Sequence, residues 1–130
     1  MSLLLLDTHL VLWAAAEPAR LPASARAQME DRGNALAFSA VAIWEVSIKA
    51  ARPRPGFAVQ PGRLRRLLLA TGYREVAVTG EHAAEVARLP PLHRDPFDRI
   101  MIAQARVEGA ALLTVDAAMA RYGEPVRMIG

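Results

Sequence analysis

A chain of 130 residues that is 53% hydrophobic and 22% charged has the size and composition of one folded domain, spanning residues 1–130, and not of a disordered segment. It has no cysteine, so disulfides and thiolate metal sites are excluded, and no apolar run approaches the roughly 18 residues of a membrane span. The net charge is +3, carried by fifteen arginines and a single lysine, Lys49, which favours polyanions such as RNA or DNA only modestly.

The start, Met-Ser-Leu-Leu-Leu-Leu-Asp, has no basic leader and its apolar run is broken by Asp7, so it reads as no signal peptide and a cytoplasmic location is expected. Residues 2–6 form a continuous apolar run, as in a strand covered on both faces. An apolar helix follows over 9–16 and stops at Glu17-Pro18. A second helix is expected over 23–32, with Gly33 as its terminator, then a strand over 35–38. Ser39 is placed to cap a helix over 40–51, which Arg52-Pro53-Arg54-Pro55-Gly56 breaks. A basic amphipathic helix over 62–71 ends at Gly72. A third strand spans 75–78, and Thr79 caps a helix running to about Arg88. Leu89-Pro90-Pro91 is a loop. A helix over 97–108 ends at Gly109, a fourth strand covers 111–115 and a fifth 126–129. Strands alternating with helices predict a three-layer α/β domain, its central sheet of about five strands mainly parallel.

Four acids stand in apolar or tightly turned surroundings: Asp7 after four leucines, Glu45 in Ala-Ile-Trp-Glu-Val, Asp98 in Asp-Pro-Phe-Asp-Arg and Asp116 in Leu-Leu-Thr-Val-Asp. Each alone has a plain structural explanation as a helix cap, a solvated helix face or a charge near a helix N-terminus. Jointly they fall at the carboxyl edge of a parallel sheet, where α/β proteins bind ligands. Carboxylates gathered there repel one another and raise each other's pKa, a penalty that a divalent cation removes. Hard oxygen donors without cysteine or clustered histidine point to Mg²⁺ or Mn²⁺ rather than Zn²⁺, and so to phosphodiester chemistry.

These motifs resemble those of PIN-domain ribonucleases, in particular VapC-type toxins of toxin–antitoxin pairs. The matching residues are Leu-Leu-Asp7-Thr8-His9 with Trp13, then Ser39 and Ile43-Trp44-Glu45. His93-Arg94-Asp95-Pro96-Phe97-Asp98-Arg99 follows, with Ile102-Ala103-Gln104-Ala105 and Leu113-Thr114-Val115-Asp116. The resemblance covers nearly the whole chain. It implies Asp7, Glu45 and Asp98 as the principal acidic set and Asp116 as a fourth, holding Mg²⁺ or Mn²⁺ for hydrolysis of RNA. It also implies an antitoxin that blocks the site, and homodimers.

Arg99, directly after Asp98, is the expected phosphate contact, and Thr114 is either a residue that orients a ligand or water or an ordinary strand residue. Thr8 reads as a capping residue and His9 as a helix-start histidine. Trp13 and Trp44, on apolar helices, are expected in the core. Arg54, Arg63, Arg65 and Arg66 form a basic stretch, either a plain solvated face or one that steers RNA or meets the antitoxin. Asp95 is expected to cap the helix that Pro96 opens, leaving Asp98 for chemistry. A phosphoacceptor receiver domain would need a lysine at the end of a late strand, whereas Lys49 lies in a helix. A haloacid-dehalogenase phosphatase needs Asp-x-Asp after the first strand, and position 9 is His. A non-catalytic PIN-like module that only binds RNA or protein is the remaining alternative.

Overall fold

The computed structural model describes residues 2–52 and 58–130, so Arg54 and most of the expected Pro-Gly break lie outside the described residues. Strand β1 (Ser2–Leu6) leads into α1 (Thr8–Ala16), a 3₁₀ turn at Pro18–Arg20 and α2 (Ala23–Glu30). Strand β2 (Asn34–Ser39), α3 (Ala40–Ala50), α4 (Pro61–Ala70) and β3 (Arg74–Val76) follow. Helix α5 (Gly80–Glu85) passes into a 3₁₀ turn at Val86–Arg88, and then come α6 (Pro96–Glu108), β4 (Ala111–Thr114), α7 (Ala117–Ala120) and β5 (Val126–Met128).

The five strands run in the order β3-β2-β1-β4-β5, and every pairing is parallel. β1 is central because its leucines are buried on alternate sides. Leu4 and Leu6 join Leu10, Phe38, Val46, Leu68 and Leu113 in one cluster. Leu5 points the other way, to Met101, Ile102, Leu112 and Met119. Helices α1, α2 and α4 therefore cover one face and α6 and α7 the other, which is the expected three-layer α/β architecture. The chain builds outward from β1 through β2 to β3, then returns to the opposite side of β1 for β4 and β5. That reversal opens a crevice past the carboxyl ends of β1 and β4.

Local chemistry sets the boundaries. α2 stops at Glu30, short of the expected residue 32, because the Asp31 carboxylate accepts from the Gly33 N–H at 2.8 Å and turns the chain into β2. α4 begins at Pro61, with the Gln60 side chain capping the Arg63 N–H at 2.6 Å. β3 is shorter than expected, ending at Val76. Gly109 closes α6 in the left-handed conformation, φ 67°, that a side chain disfavours. Behind the sheet edge, buried Ser39 donates to Gln104 Oε1 at 2.6 Å and accepts from the Val41 N–H at 3.0 Å, tying β2 and α3 to α6. Trp44 corrects the core expectation: it is 60% exposed and meets Phe97 edge-on, ring centroids 4.9 Å apart. α3 packs through Val41, Ala42 and Val46, and residue 44 lies about 200° round the helix from the last two. Trp13 does pack, half-buried, against the first cluster, with the Arg20 guanidinium 4.7 Å from its ring centroid.

Candidate metal centre

Asp7 leaves β1 and caps α1. Its Oδ1 accepts from the Leu10 N–H at 2.9 Å, and its Oδ2 accepts from the Thr114 hydroxyl at the end of β4. The residue is only 2% exposed. Burial pushes its carboxyl up from the ordinary range, against the lowering effect of the Thr114 and Leu10 bonds and of nearby His9. Thr114 also accepts from the Asp116 N–H at 2.9 Å, so one hydroxyl fixes two acids; Asp116 in turn caps α7 through the Ala118 N–H at 2.8 Å. A strand ending in Thr-x-Asp beside a strand ending in Asp thus positions both carboxylates by backbone register.

Glu45 lies on the buried stripe of α3, one turn after Val41 and Ala42. Thr8 donates to its Oε1 at 2.7 Å, so Thr8 orients an acid as well as opening α1. The other oxygen, Oε2, lies 3.5 Å from Lys49 Nζ, one turn further along. Asp98 sits in the first turn of α6. Asp95 caps that helix as expected, accepting from the Phe97 and Asp98 N–H groups at 2.8 and 3.1 Å. Asp98 Oδ2 is 2.7 Å from His93 Nε2. Its pKa is pushed up to about 6, first by burial and then by the charges of Asp95 and Glu45, with His93 opposing.

Asp7, Glu45, Asp98 and Asp116 all line one cavity of about 280 Å³, together with Asp95 and Lys49. Donor atoms of His93, Asp98 and Asp116 lie within 4.8 Å of one another, close enough to share one cation. A larger, open depression of about 780 Å³ lies at the opposite edge, beside the strand starts at Ser2, Ala35 and Ala111. It mixes arginines with glutamates and gathers no set of carboxylates, so the smaller cavity is the chemical one.

Arg99 is a correction. It does not line the cavity; its guanidinium donates to the carbonyls of Val86, Pro90 and His93 and to the Tyr122 hydroxyl, lacing the 86–93 segment to α6. Of the basic stretch, Arg65 is held by Glu75 at 2.7 and 2.8 Å, while Arg63 and Arg66 are exposed on α4, away from the acids. Sequence reasoning gave His93 and Lys49 no role at the site. The spacing His-x-x-x-x-Asp onto a helix start, and a lysine four residues after the helical acid, were the available signals.

The donor set is hard oxygen with one imidazole, and its buried carboxyls carry the electrostatic penalty that a cation relieves; it suits Mg²⁺ or Mn²⁺. A PIN domain family model matches residues 4–125. Ribonuclease VapC22 of Mycobacterium tuberculosis (strain ATCC 25618 / H37Rv) is 32% identical over 126 residues, 96% of this chain and 95% of that protein. In structure the chain is similar to VapBC2 from Rickettsia felis, solved bound to a DNA fragment from their promoter (TM-score 0.71, 14% identity, covering 98% of this chain and 99% of that one). It is also similar to VapBC-5 from Mycobacterium tuberculosis (TM-score 0.59, 19% identity, 99% and 98%). With its parallel five-strand sheet and a family match over nearly its whole length, the chain belongs to the PIN domain family as a VapC-type member.

Proposed function

We propose that residues 1–130 act as one metal-dependent endoribonuclease domain, the toxin of a toxin–antitoxin pair working in the cytoplasm. The observation that carries this reading is the convergence of Asp7, Glu45, Asp98 and Asp116, from four different elements, on one cavity at the sheet's carboxyl edge. The RNA substrate is supported by the 32% identical relative, itself a named ribonuclease. An antitoxin partner is supported by the VapBC assemblies among the structural neighbours.

In this reading Asp98 and Asp116, with His93 beside them, and Asp7 and Glu45 would hold Mg²⁺ or Mn²⁺. Bound there, the ion would supply Lewis acidity, activating a water for in-line attack and offsetting the charge of the scissile phosphate. Thr114 and Thr8 keep Asp7 and Glu45 oriented so that little rearrangement is needed on binding. The antitoxin neutralises the enzyme by presenting a cationic side chain to the carboxylates, and the toxin works as a homodimer. Among the described residues, no helix is long and apolar enough to cross a membrane.

Purified protein should cut single-stranded RNA in Mg²⁺ or Mn²⁺ and stop in excess EDTA. Undiminished cleavage in EDTA, or full activity in Asp7→Asn, would overturn the mechanism. A folded, metal-binding protein that never cleaves RNA would instead indicate a binding module.

A further inference from the structure

A cavity walled by five carboxylates repels the polyanion that a nuclease must admit. The expected phosphate contact, Arg99, spends its donors on loop carbonyls and Tyr122. Among the described residues, Lys49 is the one lysine or arginine that lines the cavity. It projects from α3 one turn beyond Glu45, and its side chain keeps 31% exposure, so the ammonium can reach a ligand entering the cavity.

We propose that Lys49 binds a phosphate oxygen of the substrate RNA, after leaving Glu45 when that carboxylate turns to the metal. This rests on the nuclease reading of the site. The two oxygens of Glu45 are divided: Thr8 holds Oε1 at 2.7 Å, and among the described residues Oε2 has the looser contact with Lys49 at 3.5 Å. Oε2 is therefore the oxygen free to meet a cation, and Lys49 the group it would release. An i,i+4 pair of this kind on a partly exposed helix face adds little to stability, so folding alone does not call for this lysine. In the metal-free protein the ammonium offsets part of the acidic charge. In the loaded protein it lies one helical turn from a carboxylate that faces the reaction, where a fixed cation stabilises charge developing on the phosphate.

The test uses the full chain as wild type, Lys49→Met and Lys49→Arg. Binding of a single-stranded oligoribonucleotide is followed by fluorescence anisotropy across a salt series in Ca²⁺, a hard cation that fills an oxygen-lined site without the compact octahedral geometry of Mg²⁺, with a gel run to establish that the RNA stays intact. Loss of one phosphate contact should flatten the slope of log K against log salt by about 0.7 in Lys49→Met, with Lys49→Arg near wild type. Mn²⁺ binding without RNA, read by electron paramagnetic resonance, should be as tight in Lys49→Met as in wild type or tighter, because a competing cation has gone. Cleavage by Lys49→Met should fall on the order of 10²-fold. Thermal melts establish that each variant is folded. An unchanged salt slope overturns the proposal, whether or not the wild type cleaves RNA. Weaker Mn²⁺ binding in Lys49→Met also overturns it, by making Lys49 an organiser of Glu45. A wild type that fails to cleave in Mg²⁺ or Mn²⁺ sinks the nuclease reading, while the salt slope still decides the role of Lys49.

Discussion

Replacing Asp98 with asparagine in the metal-free protein should raise its stability at neutral pH, although Asp98 takes part in a hydrogen bond. Moving a carboxyl from 3.8 to about 6 on folding corresponds to about 3 kcal/mol at full burial. Partial exposure to solvent reduces this to about 1–2 kcal/mol. The sign follows from the direction of the shift. Because the folded pKa is raised, the contribution favours folding fully below pH 3.8 and is lost as pH rises through about 6. Asparagine never ionises and can still accept from His93, so the variant avoids the loss at the expense of a weaker hydrogen bond. A net gain of about 1 kcal/mol is expected at pH 7.5 in EDTA, or about 3–5 °C in Tm for a domain of this size. At pH 4.5, where Asp98 is largely protonated in the folded protein, most of the gain should vanish. Asp95→Ala is the internal contrast. It removes the cap on Phe97 and Asp98 and should cost about 0.5–2 kcal/mol at both pH values. Asp95→Ala should also keep substantial cleavage per folded molecule, whereas Asp98→Asn should abolish it. Urea titrations of the three proteins at the two pH values, paired with RNA cleavage rates in Mg²⁺, test all of this. A less stable Asp98→Asn at pH 7.5, or a gain of equal size at both pH values, would refute the electrostatic argument.

Mn²⁺ at about 100 times its Kd should stabilise the wild type by about 2.7 kcal/mol, visible as a rise in Tm that Asp7→Asn largely loses; equal rises in both proteins would remove Asp7 from the ligand set. Arg99→Met should cost about 1–3 kcal/mol by removing the guanidinium bonds to the Val86, Pro90 and His93 carbonyls and to the Tyr122 hydroxyl. Unlike Lys49→Met, it should leave the salt dependence of RNA binding unchanged; a flattened slope would return Arg99 to the phosphate.

The leucine run and the four acids made the central strand and the cavity legible, because burial on both faces and charge beside apolar residues are local patterns. Helix starts at Ser39, Thr79 and Asp95 were legible for the same reason: a cap is a contact within three residues. What stayed hidden depends on direction in space. Arg99 follows Asp98 in sequence, yet on a helix adjacent residues point about 100° apart, and it turns to the loop. Trp44 was misjudged similarly, since an apolar helix does not announce which stripe packs. Lys49 and His93 stand beside acids in sequence, but only the fold shows that those acids gather at one cavity, and so what the two side chains face.

The position of β1 between β2 and β4 also governs when the activity can exist. Asp7 precedes its hydroxyl partner Thr114 by 107 positions, and β1 gains its second neighbour only when β4 arrives. Until then β1 is an edge, and the cavity lacks Asp116. A chain that has passed β3 but not residue 95 holds Asp7 and Glu45 without the remaining acids, and one that ends between residues 98 and 115 still lacks Asp116. A fragment that stops short of residue 116 therefore lacks the full set of acids, and the proposed activity should appear only once β4 and the residues after it have joined the sheet.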